Sequence, residues 1–422
     1  MNPAFCLTVE LVAAARECAP SLQKSLALSR MFSLCAELGT ALAEFTWTPG
    51  RYTRFAVQEP KLREIFAPSF PDRIVQGWLA GRMRPLMERA AIDDSYANRV
   101  GKGTHTAIAK VQKLMRKPDN DWCLQLDVRN YFHSIRRPVL LAQMLSLLDK
   151  YPDGTHEGVL RYAITALLRH DAREGYRMAE RSGSVLRGIP GHKSLLSAKA
   201  DTGLPIGGAA SQSFANFYLN PLDHFIKHEL RVKAYTRYMD DLLLLAATPQ
   251  QLFSWRDAVR DFLRRELHLE LHDGKEQLTP ARQGVRYLGY KVYPQYLHAR
   301  EPTVSTLKAR LDFFKHLFWP REYPRCQRPV RGFWQSWLED GPPLLPLEPE
   351  WTLLKHMEAT INSYLGIMGH AHNARLRMAL YHGHFGPLRQ FFIPTDANYA
   401  AVNVCKKWLR PERRRGTRPA VP

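Results

Sequence analysis

The sequence predicts an α+β fold, and three observations carry the prediction. Two short apolar runs, DWCLQLDV at 121–128 and AYTRYMDDLLLLAA at 234–247, read as strands that end or turn at aspartate. Around them, segments such as DRIVQGWLAGRMRPLMER and PQQLFSWRDAVRDFLRREL space their apolar residues at helical period. Beyond residue 300 the helical period dominates, interrupted by the proline-rich EDGPPLLPLEPEW.

Each element follows from its local pattern. Residues 1–50 read as helical with a break at Pro20, since proline cannot continue the hydrogen-bond ladder. GRYTRFAVQEPKLREIFAP alternates like a strand pair turning at Glu59–Pro60. A helix follows over 72–89, and GKGTHTAIAKVQKLMRK is a glycine-hinged loop feeding a basic amphipathic helix. After the first aspartate-bearing strand, residues 137–200 begin helical and become loop-like through RSGSVLRGIPGHKSLLSAKADTG. SQSFANFYLNPLDHFIKHEL reads as one helix, TRYMDDLLLLA as two strands joined at the aspartates, and VRYLGYKVYP as a strand or hairpin.

The chain has 422 residues, 45% of them hydrophobic, which suits two or three packed units and excludes general disorder. No apolar run is long enough for a membrane span, and MNPAFCLTVELVAAARECAP lacks the basic start of a secretory signal. Six scattered cysteines form no C-x-x-C pair, which indicates neither a zinc ribbon nor a disulfide framework and suits a reducing cytoplasm. The net charge of +20 suits either a polyanionic partner or a basic solvated surface, and the arginine-rich end KKWLRPERRRGTRPAVP is open to the same two readings.

Asp240 and Asp241 pose an electrostatic question. Two adjacent carboxylates repel, and each resists leaving water. Either the pair is a solvated turn, or something positive sits on it. If the strand ending at Asp127 lies beside this hairpin, three carboxylates converge with no basic partner in sequence. Such a set of hard oxygen donors suits two Mg²⁺ ions, with Mn²⁺ as a substitute. Two such ions activate an attacking 3′-hydroxyl and stabilise a leaving pyrophosphate.

At this point the sequence resembles a family. YMDD between apolar strands is similar to the signature of reverse transcriptases, and LQLDVRNYFHSI to their first palm motif. GLPIGGAASQSFANFYLNPLDHF resembles their glycine loop and helix, and LHDGKEQLTPARQGVRYLGYKVYP their lysine motif and primer grip. KLREIFAPSFPDRIV and DSYANRVGKGTHTA resemble the fingers of bacterial members, and INSYLGIMGHAHNARLR their thumb. The likeness covers roughly residues 50 to 385, with the motifs in family order.

The resemblance implies a right-hand polymerase with an antiparallel palm sheet and a helical thumb. Its implied divisions are N-terminal helices and fingers (1–120), the first palm motif (121–136), a fingers insertion (137–200), the rest of the palm (201–300), the thumb (301–395) and a basic tail (396–422). Asp127 and Asp240 would be the principal metal ligands, with Asp241 assisting. Phe132 matches the position whose ring would clash with a ribose 2′-hydroxyl. Lys61 and Arg63 match residues that hold the incoming triphosphate, and Arg73 is a candidate of the same kind.

Ile206, Gly207 and Gln212 would border the nucleotide, Gly207 by letting backbone approach closely. Gln212 and Asn216 are one turn apart and are expected to share a face toward the template–nucleotide pair. Lys275 matches the lysine that protonates departing pyrophosphate, although LHDG and Glu276 depart from the usual surroundings. Tyr287, Leu288, Gly289 and Tyr290 would form the primer grip.

Ile206 and Gln212, with IPGHKSLL upstream, are similar to the enzymes of diversity-generating retroelements and related defence-associated reverse transcriptases. Gly208 departs from the asparagine usual there. The implied partners are an RNA template, an RNA–DNA duplex and dNTPs, with a small basic accessory protein or a structured non-coding RNA. No membrane is involved, and the implied location is the cytoplasm of a prokaryote. Two other readings stand beside gene diversification: an antiphage defence enzyme, and a non-catalytic maturase-like RNA-binding protein.

Overall fold

Alternating runs at 53–67 become two paired strands, β1 (Thr53–Val57) and β2 (Arg63–Ala67), in antiparallel register from Thr53–Ala67 to Val57–Arg63. They belong to a computed structural model that describes residues 3–18, 28–57, 61–179, 183–324, 346–371 and 373–408. The expected turn at Glu59–Pro60, the break at Pro20, Cys326, much of the proline-rich segment and most of the basic tail lie outside the described residues. The chain divides into two units, Met1–Pro280 and Ala281–Pro422.

In the first unit, strand β3 (Trp122–Asp127) follows, and the two-residue strand β4 (Arg177–Met178) joins the β1–β2 pair in parallel with β1. The AYTRYMDD segment forms β5 (Tyr235–Tyr238) and β6 (Asp241–Ala246), and β7 (Gln277–Pro280) closes the unit. β5, β6, β3 and β7 make a four-stranded sheet in that order, antiparallel at every step. This is the antiparallel sheet expected of a palm.

The four leucines of β6 explain its central place. Leu242 and Leu244 enter the main core beside Leu124 and Leu126 of β3. Leu243 and Leu245, which alternate to the opposite face, are equally buried. A strand covered on both faces reads as an unbroken apolar run, and each buried leucine contributes about 1.5–3 kcal/mol.

Helices cover this sheet and extend the unit. Pro3–Cys18 and Leu28–Ala43 pack together and, with Phe70–Ala90, supply Leu7, Leu11, Leu42, Ile74 and Leu79 to the core. Ser69 caps the Phe70–Ala90 helix by accepting from the Asp72 N–H, and Trp78 ties it to the first helix by donating to Glu10 at 2.7 Å. Thr248 caps the Pro249–Glu266 helix in the same manner. The run at 211–230 is not the single helix its period suggests. It divides into Ala209–Tyr218, Asn220–His224 and a π-helical turn at Phe225–Glu229. Pro221 sits in the first turn of the second piece, where its missing N–H costs nothing.

The second unit holds a meander of β8 (Val285–Tyr287), β9 (Tyr290–Val292) and β10 (Leu297–Ala299). Helices Glu301–Phe318, Trp351–Gly369 and Ala374–His384 follow, then a hairpin of β11 (Phe392–Pro394) and β12 (Val402–Val404). Leu307, Phe314, Met357, Ile361, Phe385 and Phe392 build its separate core. The mainly helical character expected after residue 300 is observed.

Candidate active site

The register of β3 against β6 puts Asp127 directly opposite Asp241. Asp240 occupies the turn immediately before β6, after Met239 in the left-handed region at φ 55°. Three carboxylates thus stand together at one end of the two central strands of the sheet. All three are half-buried, and the consequences differ by position. Burial, and then repulsion from Asp127, push the Asp240 carboxyl up to about 6. Burial, and then Asp240 and Asp127, push Asp241 up to about 7, while the charges of Lys275 and Lys61 pull it back.

The fold brings the carboxylates a basic partner from 148 residues along the chain, as Lys275 Nζ donates to Asp127 Oδ2 at 2.5 Å. The chain returns to Asp127 through a short irregular pairing, in which Arg129 N–H donates to the Glu270 carbonyl and His272 N–H to that of Asp127. That pairing lays the 270–275 segment along the end of β3. Lys275 satisfies one carboxylate and leaves the YMDD pair under-neutralised.

The donor set fits a divalent cation: oxygen ligands only, two of them buried beyond what their charge tolerates. With Asp127 turned to the lysine, the trio does not close on a common point. Among the described residues no group of three His, Cys, Asp or Glu side chains is preformed as a cation cage.

The other expected residues are placed as follows. Lys61, just before β2, is exposed and near enough for its charge to act on Asp241. Arg63 is exposed at the start of β2. Arg73 lies with its guanidinium 5.3 Å from the Phe70 ring, and its charge acts on the Cys18 thiol. Phe132 is half-buried and packs edge-on against Tyr131, with 5.9 Å between ring centroids.

The loop at 204–207 spans from Phe132 to β2. Leu204 N–H donates to the Phe132 carbonyl at 2.8 Å, and the Ile206 carbonyl accepts from the Phe66 N–H at 2.9 Å. Gly207 has φ 138°, and a Cβ there would stand 2.7 Å from the Phe66 carbonyl oxygen, so only glycine fits. Ile206 is half-buried and Gln212 exposed.

Asn216 does not share that exposure. It is buried, donates to the Ala97 carbonyl and accepts from Arg237, both at 2.8 Å. Its neighbours in the fold, not its helical phase against Gln212, decide its direction. In the second unit, Leu288 (φ 46°) and Gly289 (φ 90°) form the tight turn between β8 and β9. Tyr287 and Tyr290 are buried beside that turn, and Tyr290 donates to the Ile367 carbonyl at 2.9 Å.

Two sets of residues escaped the sequence reading. Glu64 is buried on β2, where it pairs with Arg54 at 2.6 Å and accepts from Ser194 Oγ at 2.9 Å and from the Leu195 N–H at 2.6 Å. It therefore fastens the 191–198 segment to the β1–β2 pair. Arg237 and Asp223 form a wholly buried ion pair behind the YMDD turn. Their only sequence signal is a charged residue inside each of two apolar segments.

Residues 58–292 match the profile of a family described as reverse transcriptase (RNA-dependent DNA polymerase). Among curated proteins the chain is similar to Protein YkfC of Escherichia coli (strain K12), with 23% identity over 281 residues. That match covers 58% of this chain and 66% of YkfC. Among solved structures, telomerase from Candida albicans, in complex with a TWJ fragment of telomeric RNA, matches with a TM-score of 0.40 and 12% identity. The match covers 79% of this chain and 57% of the telomerase chain.

Proposed function

The chain belongs to the reverse transcriptase (RNA-dependent DNA polymerase) family, and on that footing we propose that it synthesises cDNA on an RNA template by nucleotidyl transfer. The observation that carries this reading is the juxtaposition of Asp127 and Asp241 across β3 and β6, with Asp240 in the adjoining turn. A non-catalytic RNA-binding scaffold has no use for two under-neutralised carboxylates beside a third that a lysine holds. The family implies dependence on divalent metal ions in general. Mg²⁺, with Mn²⁺ as substitute, is the ion that all-oxygen donors favour. Held by Asp127, Asp240 and Asp241, two such ions would polarise the attacking hydroxyl and neutralise the triphosphate.

The chain's own groups would do the rest. Lys61 and Arg63 on the fingers strands bind triphosphate oxygens, with Arg73 in a supporting position at the adjacent helix. Phe132, braced by Tyr131, presents a flat ring against a ribose 2′-hydroxyl. Ile206 and Gly207 let the loop backbone approach the nucleotide, and Gln212 faces the same space from the helix that follows. Lys275 gives its proton to the departing pyrophosphate once Asp127 has released it. Tyr287, Leu288, Gly289 and Tyr290 position the primer end. The net charge of +20 favours an RNA–DNA duplex bound by backbone and shape.

Diversification of a target gene by a prokaryotic retroelement is the finer reading, supported by Ile206 and Gln212. A small basic accessory protein or structured RNA would be its partner. Antiphage defence is the alternative, and one departure from the diversifying pattern bears on the choice. A Cβ at Gly208 would stand 2.3 Å from Gln76 Oε1, so the asparagine usual in diversifying enzymes does not fit without moving Gln76. Sequenced cDNA separates the two, since adenine-mutated copies of a repeat mark diversification and homopolymer or short repeated products mark defence. The activity is tested by primer extension on an RNA template with Mg²⁺ and dNTPs. Wild type extends and Asp240→Ala does not; no extension by wild type, or equal extension by the variant, contradicts the polymerase reading.

A further inference from the structure

The turn that presents Asp240 is gripped from behind. Arg237 has a side chain 2% exposed, and every one of its N–H groups has an acceptor. Nε and Nη2 hold the two oxygens of Asp223 at 2.8 and 2.6 Å. Nη1 donates to Asn216 Oδ1 at 2.8 Å and to the Met239 carbonyl at 2.9 Å. Nη2 also reaches Ser95 Oγ at 3.2 Å and the Asn216 carbonyl at 3.1 Å. Asp223 in turn accepts from the Tyr235 hydroxyl at 2.7 Å. The backbone of Arg237 is bracketed by the Asp94 carbonyl and the Tyr96 N–H, each at 2.9 Å.

Asp223 alone would neutralise Arg237. The arm to the Met239 carbonyl does something else, because Met239 has φ 55°, a conformation unfavourable to a residue with a Cβ. It is also the residue between Arg237 and Asp240 that fixes where the carboxylate stands.

We propose that Arg237 is the positioning residue of the catalytic turn. Locked on Asp223, Asn216 and Ser95, it holds the Met239 carbonyl and thereby keeps Met239 left-handed and Asp240 aimed at the edge shared with Asp127. Lysine cannot replace it, since a single ammonium cannot span these acceptors. The proposal rests on the polymerase reading above, but one of its readouts does not need activity.

Arg237→Lys and Asn216→Ala are compared with wild type by thermal melting, by Mn²⁺ affinity from electron paramagnetic resonance without nucleotide, and by single-nucleotide incorporation. Arg237→Lys is expected to weaken Mn²⁺ binding about tenfold and to lower kcat by about tenfold or more, with KM for the dNTP within about twofold. Asn216→Ala moves both the same way by about threefold. Adding Met239→Gly to Arg237→Lys restores part of the Mn²⁺ affinity, because glycine takes positive φ unaided. A lower melting temperature with Mn²⁺ affinity and kcat unchanged would mean a merely structural pair and overturn the proposal. Should Arg237→Lys fail to fold, unchanged affinity and kcat in Asn216→Ala overturn it as well. If wild type binds Mn²⁺ but extends no primer, the polymerase reading fails while the affinity comparison still decides this one.

Discussion

Two groups of charges meet at the YMDD hairpin, one of them reaching it from the Asn220–His224 helix, and they are treated in opposite ways. Arg237 and Asp223 are wholly buried and compensated by protein groups alone. Asp240 and Asp241 are half-buried, repel each other and Asp127, and titrate well above an ordinary carboxylate. The first group has permanent partners and serves the fold and the placing of the turn. The second has been left for something that arrives, and the contrast distinguishes charges satisfied within the protein from charges that await a ligand.

The sharpest way to break this contrast is to remove one member of each group. Asp240→Ala should abolish primer extension, a loss of about 10⁴-fold or more, without lowering the melting temperature of the cation-free protein. Asp223→Ala should act chiefly through the fold, with a smaller loss of extension because Arg237 loses an anchor of its grip on the Met239 carbonyl. It strands a buried guanidinium and should cost about 3–5 kcal/mol in urea unfolding. If the two substitutions had the same profile, the distinction would be lost.

Lys275 stands between the two groups, since it pairs with Asp127 while remaining 57% exposed. Lys275→Ala should slow incorporation by about 10²-fold, yet leave Mg²⁺ binding to the free protein at least as tight, because Asp127 is released. Weaker Mg²⁺ binding in that variant would show that the lysine supports the cation site instead of competing with it.

Asp171 offers the smallest test, as a carboxylate of the compensated kind nearer the surface. Hydrogen bonds from Arg173 lower it to about 2, below its ordinary 3.8. A depressed carboxylate contributes stability above its unfolded value and loses it as pH falls through the folded one. The stability difference between wild type and Asp171→Asn should therefore shrink between about pH 4 and about pH 2. A difference that stays constant over that window would contradict the pairing.

What was legible in the sequence follows the same division. The strand ending at Asp127, the hairpin at Asp240–Asp241 and the strand pair at 53–67 declare themselves by local alternation and turn residues. The site aspartates are therefore readable from spacing. Asn216, Asp223, Arg237 and Glu64 were not, because their partners lie in other elements. Asp223 is on a helix and Arg237 on a strand, and their pairing is a product of packing. The run at 211–230 misled for a related reason. Its apolar period continues through Asn220–Pro221 although the helix does not, so period alone could not place Asn216 against Arg237. Lys275 was recognised by resemblance, but its contact with Asp127 depends on the irregular pairing of 128–129 with 270–272.

The central claim is that the carboxylate edge is under-neutralised in order to take a divalent cation. Isothermal titration of Mg²⁺ into wild type and into an Asp240→Asn, Asp241→Asn double variant measures it directly. Wild type should bind Mg²⁺ and the double variant should not. Equal binding by both, or no binding by wild type even with nucleotide present, would contradict the account.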